Sequence, residues 1–412
     1  MTETATRQSR LARLDGWARI AILGLTLALC CAFGLVTPYL LAVIGLALFV
    51  KAAMARQLGA AYREPTALLF LAGVGTLLVC YAITMKEPTD ALLALNFIML
   101  VLYGPIRLEL SKAAAPGNAR RVANLAAFGV LVALAVALFQ LYVIGVPRAD
   151  NILFGAILLA NTAILLGFIA VIGTMTDGPY RWAYLLMPGV GLVVAGLTGS
   201  RGPMLAVVPL VLVAAIFLAR HFRIKAWIVA LGAGGLVLAG ALLVWLMQSR
   251  ATTLFSAIGD VLNGGDISTI VDVTTRYRLD LYWAGYQAFL QSPIVGHGWA
   301  RLMTAAFPFL PADKSPYLYL PQLHNDVVNF AVAAGVVGAA VYLLLLAAPL
   351  VGVLRSPRDG QFNLRLYGIV VLVTAYIFDG LTDLMLGFEF HTAIYACLAA
   401  ILIGYCRDER PS

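Results

Sequence analysis

The run HNDVVNFAVAAGVVGAAVYLLLLAAPL, residues 324–350, opens on three polar side chains and then, but for Asn329, stays apolar for longer than a bilayer is thick. A spanning helix needs about 20 mainly apolar residues. The run has no period-2 alternation, so it is not a barrel strand, and in lipid its backbone groups must be satisfied within the segment, which leaves the helix. Similar runs recur along the chain near 17–35, 38–50, 66–84, 89–106, 121–144, 152–175, 181–198, 203–219, 226–247, 364–382 and 388–406. The second is short and follows Pro38, and Pro105 closes the fourth. Composition agrees: 62% of residues are hydrophobic and 12% charged, against about 25% charged in an ordinary soluble domain. The expected fold is all-α, a polytopic membrane protein of about 12 transmembrane helices.

Immediately before that run, residues 248–323 form the longest polar, charge-bearing stretch of the chain. Arg250, Arg276, Arg278, Arg301 and Lys314 face Asp260, Asp266, Asp272, Asp280 and Asp313 in number. The chain therefore divides into spans over 1–247, one large polar loop containing amphipathic helices over 248–323, and spans over 324–412. A chain that gathers its polar residues in one place is expected to keep its chemistry there.

Charge sets the expected orientation, because short cytoplasmic loops carry the excess of Lys and Arg. With the N-terminus inside, 20 of the 28 basic residues fall on the inner side, among them Arg19, Lys51, Lys112, Arg120, Arg355 and Arg365. Both termini are then cytoplasmic and the large loop external. The net charge of +8 is a topology signal, and no nucleic-acid partner is expected. Cys30, Cys31, Cys80, Cys397 and Cys406 all lie in apolar runs, where packing is their expected role. The first run is long with no small-residue cleavage site close behind it, so an anchor is expected, not a removed signal peptide. There is no P-loop, dinucleotide fingerprint, zincin motif or Cys-rich metal spacing. No cofactor and no metal are expected, and the energy of any reaction must come from the substrate or a gradient.

Three outer strings carry chemistry. Gly199-Ser200-Arg201-Gly202-Pro203 joins the seventh and eighth spans. An arginine at a membrane boundary is costly facing lipid, so it turns to protein, water or an anion. With a proline-started helix beside it, the string suits a phosphate or diphosphate; it serves equally as a tight turn whose arginine snorkels. Arg276-Tyr277-Arg278-Leu279-Asp280-Leu281-Tyr282-Trp283 opens a second string. Leu279, Tyr282, Trp283, Tyr286 and Phe289 recur at helical spacing, giving an amphipathic helix against the membrane surface or over a cavity. Arg278 suits a lipid-linked phosphate and the Tyr and Trp faces suit sugars; the plainer reading is arginines meeting head groups or Asp272 and Asp280. His324-Asn325-Asp326 is the third, with Gly335 and Gly338 expected to let a neighbouring helix pack closely. Imidazole at a helix mouth suits a general base, and Asn325 suits equally a helix cap. Asp379, Asp383 and Glu389 before the last span suit sugar hydroxyls or a divalent cation or, more plainly, a solvated turn. His297, between glycines, suits a substrate contact or a flexible bend.

Taken in order, Ser200-Arg201-Gly202, then Arg278-Leu279-Asp280-Leu281-Tyr282, then Pro293-Ile294-Val295-Gly296-His297-Gly298, then His324-Asn325 resembles the O-antigen ligase and polymerase superfamily of bacterial envelope glycosyltransferases, over roughly residues 185–350. The resemblance implies a GT-C-like membrane enzyme of the bacterial inner membrane that works at the periplasmic face without metal or nucleotide. Its donor would be a glycan on undecaprenyl diphosphate and, for a ligase, its acceptor the lipid A-core, with membrane lipids around both. Carried over by position, Arg201 and Arg278 would bind diphosphate and His324 would activate the acceptor hydroxyl for an inverting attack. Arg276, Asn325, Tyr282, Trp283, His297, Asp379 and Asp383 are the further candidates for substrate contact. An O-antigen polymerase or a protein O-oligosaccharyltransferase fits the same strings. From another class, a flippase of lipid-linked glycans fits the span count and the arginines, but not the clustering of charge at one surface.

Overall fold

The computed structural model describes residues 16–150, 155–225 and 273–409, with a few isolated positions between 227 and 235. Nearly all of the expected ninth span, 226–247, together with Arg250, Asp260, Asp266 and Asp272, lies outside the described residues. Among the described residues the regular elements are all helical. Among the described residues nine helices are long and apolar enough to cross a membrane, and two shorter apolar ones accompany them. In chain order they are α1 (Gly16–Ala28), α2 (Cys30–Met54), α3 (Pro65–Thr84), α4 (Pro88–Ser111), α5 (Asn118–Ile144), α6 (Ala156–Met175), α7 (Arg181–Thr198) and α8 (Gly202–Phe222). The polar α9 (Val273–Gln291) follows, then α10 (Asp326–Leu354), α11 (Phe362–Asp379) and α12 (Glu389–Tyr405). The chain is a multi-pass membrane protein.

Two prolines behave differently from expectation. The first break falls at Leu29, with φ −122° and ψ −1°, and Pro38 sits instead in the first turn of the regular stretch Thr37–Met54, where a missing N–H costs nothing. Pro105 does not close α4, which runs on to Ser111. A proline leaves the carbonyl four residues earlier without its helical donor. That carbonyl, Val101 O, accepts from Tyr62 Oη at 2.8 Å. The five cysteines are free and buried, as their apolar settings imply.

The connecting segments meet in two groups at opposite ends of the bundle. At one end Glu109 receives Arg19 Nη2 at 2.5 Å, Lys51 Nζ at 3.0 Å and Lys112 Nζ at 3.2 Å. There too Arg365 Nη1 meets Asp359 Oδ1 at 2.6 Å, and Gln361 Nε2 meets Asp408 Oδ1 at 2.7 Å. These residues come from the ends of α1, α2, α4, α11 and α12, the segments that charge counting assigns to one side. At the other end the segment after α5 touches the turn after α7, and the start of α4 reaches the turn before α12 through Asn96 Nδ2 and Gly387 O at 2.8 Å.

α10 is broken. Ala334 (φ −141°, ψ 22°) and Gly335 (φ 64°, ψ −151°) are non-helical, and the segment Pro293–Gly298 docks into the break. His297 N donates to Val332 O at 2.9 Å, Gly298 N to Ala333 O at 2.9 Å and Val336 N to Pro293 O at 2.8 Å. The strap supplies partners for backbone groups that the kink frees, which a helix in lipid requires. A Cβ on Gly296 would lie 2.4 Å from Ala334 N, and one on Gly335 2.3 Å from Ile294 O. The glycine string is thus a docked strap and not a flexible bend. Gly335 and Gly338 serve the kink instead of a neighbouring helix: a Cβ on Gly338 would meet Phe330 O of its own helix at 2.1 Å.

Candidate active site

The site grows from the start of α10. Asn325 is the N-cap: its Oδ1 accepts from Val328 N at 3.1 Å and its Nδ2 donates to Leu381 O at 3.1 Å. Its side chain is therefore occupied in the cap, the plainer of the two readings. His324, just before the cap, has φ 51°, a left-handed conformation that a residue with a Cβ holds only where its surroundings insist, at a cost of about 1 kcal/mol or more. Tyr282 supplies part of that insistence, because its Oη donates to His324 O at 2.9 Å and lies 2.9 Å from Leu381 O. Burial pushes the Tyr282 phenol up to about 12, against the downward pull of the Arg278 charge.

His324 Nδ1 lies 3.1 Å from Asp383 Oδ1. Asp383 also accepts from Gln322 Nε2 at 2.8 Å, and Gln322 is itself met by Asn329 Nδ2 at 3.4 Å. Burial pushes the Asp383 carboxyl up, but the hydrogen bond and charge of His324 and the Gln322 amide outweigh it and hold the group below the ordinary carboxylate range. An ionised carboxylate only accepts, so the proton on that contact belongs to Nδ1, and when the ring carries a single proton its lone pair is on Nε2. The His324 side chain keeps 23% of its exposure and Asp383 only 6%. Asp379 and Asp383 are buried and do not form a solvated turn. They lie there because Asp326 stitches the turn down: its N donates to Gly380 O at 2.7 Å, and its carboxylate accepts from Met385 N at 2.8 Å and Leu386 N at 3.2 Å.

α9 brings the arginine. It buries Leu281, Ala284, Gly285 and Ala288, and of the expected Leu279-Tyr282-Trp283-Tyr286-Phe289 stripe Tyr282 and Phe289 pack beside them on the core. Small residues win because α9 packs closely on the start of α10: a Cβ on Gly285 would lie 2.3 Å from Val328 Cγ1. Trp283 and Tyr286 consequently point outward, 54% and 50% exposed. One turn before Tyr282, Arg278 lies beside the turn between α7 and α8. A Cβ on Gly202 would be 3.6 Å from Arg278 Nη1 and 2.7 Å from Thr382 Oγ1. Among the described residues Arg278 forms no ion pair.

Ser200-Arg201-Gly202, Arg278, Tyr282, His324 and Asp383 are thus gathered at one end of the bundle. Residues 182–343 match the family model described as O-antigen ligase. Over that stretch the chain carries an O-antigen ligase domain. No curated protein matches it. Relative to that O-antigen ligase region, the turn that carries Thr382 and Asp383 lies outside the matched range, yet supplies the partner of His324.

Some expected contacts are not brought together. Arg276 lies over the Tyr277 ring at 5.9 Å, and Tyr277 stacks edge-on against Tyr317, whose Oη donates to Asp280 Oδ2 at 2.7 Å. These residues form a cluster of their own. Trp283 has Tyr286 as its ring neighbour at 5.8 Å. His297 Nε2 is 2.7 Å from Ala288 O, and its ring lines a separate hollow of 240 Å³ with Tyr81, Trp299 and Arg301. Asp379 lies buried beneath the turn. Among the described residues no group of three or more His, Cys, Asp or Glu side chains is arranged to hold a metal ion. Sequence reading missed Gln322, Asn329 and Thr382 altogether and gave Asp383 a different role. The signal for Asp383 was weak but present, an acid four residues after Asp379 on the same side of the membrane as His324.

Proposed function

We propose that the protein is a glycosyltransferase of the O-antigen ligase type, moving a glycan from undecaprenyl diphosphate to a sugar hydroxyl of lipid A-core. It acts at the periplasmic face of a bacterial inner membrane, with both termini cytoplasmic. What carries the reading is the convergence of Arg278 and the Ser200–Gly202 turn with the His324–Asp383 pair. A cation that meets no acid among the described residues and an imidazole with an oriented lone pair are what the two halves of such a transfer need.

In this scheme Arg201 and Arg278 hold the diphosphate, and their charge stabilises the negative charge that builds on it as the sugar–phosphate bond breaks. His324 Nε2 takes the proton from the acceptor hydroxyl while that oxygen bonds to the sugar's anomeric carbon from the opposite face. Asp383 fixes the tautomer and stabilises the imidazolium. The products are the glycosylated acceptor, undecaprenyl diphosphate and a proton on His324 that passes to solvent. The division into spans over 1–247, a periplasmic loop over 248–323 and spans over 324–412 belongs to the same proposal.

The test is transfer by purified protein in detergent, from undecaprenyl-diphosphate glycan to lipid A-core, with His324→Ala alongside. Attachment to the core that the variant loses is the expected result. Glycan lengthening without core attachment would replace the ligase with a polymerase, and substantial transfer by the variant would remove His324 as the base.

A further inference from the structure

We propose that Arg148, in the segment between α5 and α6, is a positioning residue of the diphosphate site, holding the turn that presents Arg201. The inference rests on the reading of the Ser200–Gly202 turn as an anion site. Arg148 Nε donates to Thr198 O at 2.5 Å, and Nη2 to Ser200 Oγ at 3.3 Å. The next residue continues the clamp, since Ala149 N donates to Leu197 O at 3.2 Å. Thr198 is the last residue of α7, and Gly199 after it is left-handed, with φ 64°. The carbonyls of a last turn have no helical partner. Arg148 therefore satisfies an orphan carbonyl and a hydroxyl at once, on either side of the residue where the chain reverses.

The consequence for Arg201 is geometric. Ser200 N bonds Thr198 Oγ1 at 3.2 Å, and Met204 N bonds Arg201 O at 3.1 Å, so Arg201 is placed by a turn fixed at both flanks. Arg148 grips the turn at Thr198 and Ser200, while Arg278 lies at Gly202. The turn is bracketed by two arginines from separate parts of the chain. A guanidinium is needed because two donors of one planar fork meet two acceptors; lysine keeps the charge but not the fork.

The experiment measures undecaprenyl diphosphate binding to the full-length protein in nanodiscs, by titration calorimetry, for wild type, Arg148→Ala, Arg148→Lys and Arg278→Ala. Donor and acceptor KM and kcat are measured for the same set, and melting temperatures are recorded. Loss of a charge-assisted hydrogen bond predicts about tenfold weaker binding for Arg148→Ala, with donor KM raised in step, acceptor KM unmoved and the lysine variant failing to restore it. Equal binding by wild type and Arg148→Ala would overturn the inference, as would restoration by lysine, which would make the charge and not the fork responsible. A lower melting temperature with both KM values unchanged would leave a structural strut and also overturn it. Wild type that fails to bind, while remaining folded, would instead sink the anion-site reading beneath it.

Discussion

The two ends of this bundle treat charge in opposite ways. At the end that carries Glu109, three cations converge on one carboxylate whose side chain is 3% exposed, and Arg365 is likewise neutralised by Asp359. At the other end Asp383 is committed to His324 and Gln322, and Arg278 forms no ion pair among the described residues. Closed networks rigidify a fold but leave nothing for a ligand. The same residue types thus serve as clasps where their valences are filled within the protein and as a candidate site where the described residues leave them open.

The largest effect belongs to the imidazole. His324→Ala is expected to lower kcat about 100- to 10,000-fold while the protein remains folded and inserted, measured as core glycosylation per molecule with a melting curve alongside. Loss of the folded protein in place of loss of rate would make the outer end a clasp too. Next comes Arg278→Ala, expected to cost about 100- to 1,000-fold in kcat/KM if its charge meets the leaving group; an unchanged value would remove Arg278 from the diphosphate site.

Asp383→Asn should cost less, about 10- to 100-fold, as expected for a group that orients a working histidine through its second nitrogen. Its pH behaviour sharpens the comparison. An unfolded carboxylate titrates near 3.9, and the folded value of Asp383 is lower, so its contribution to stability is fully present above about pH 4 and is lost as pH falls through the folded value. Asp383 therefore stays ionised between pH 5 and 8, and its substitution should shift rate across that whole range without altering the acid-side unfolding profile above about pH 5. A rate loss that appears only below pH 5 would contradict the assignment.

The contrast between the ends was only partly legible in the residues. Apolar length found the helices, because lipid allows one backbone solution, and the runs named from 17–35 to 388–406 reappear as helices wherever the residues are described. Sequence order also placed Ser200-Arg201-Gly202, Arg278, Tyr282 and His324 on one side. What stayed hidden depends on pairings distant in sequence. The partner of His324 comes from 59 positions further on, and the fate of the Val101 carbonyl left by Pro105 depends on Tyr62. On α9 large aromatics dominate the helical pattern and hide the small residues: Tyr282 and Phe289 of that stripe pack on the core, but close packing against Val328 rests on Ala284 and Gly285. Gly335 and Gly338 looked like a packing stripe because a kink filled by residues 293–298 leaves no periodic trace.

The smallest effect on chemistry, and the sharpest check on the comparison, is expected at the opposite end. Glu109→Gln keeps shape and removes the one charge that Arg19, Lys51 and Lys112 share. Those cations are partly exposed, with side-chain exposures of 24%, 31% and 36%, so water screens them and the loss should be modest, on the order of 2 kcal/mol. Because the three basic residues come from α1, α2 and α4, the substitution should loosen the packing of these helices and lower the melting temperature in detergent. The kcat and donor KM of the remaining folded protein should be unchanged. A clasp acts through the folded fraction alone, and a site acts through the rate of each molecule. If Glu109→Gln instead lowered kcat at full folding, the two ends would be coupled through the helices between them, and the outer arrangement of Arg278, His324 and Asp383 would have to be understood as one state of a protein that both ends control.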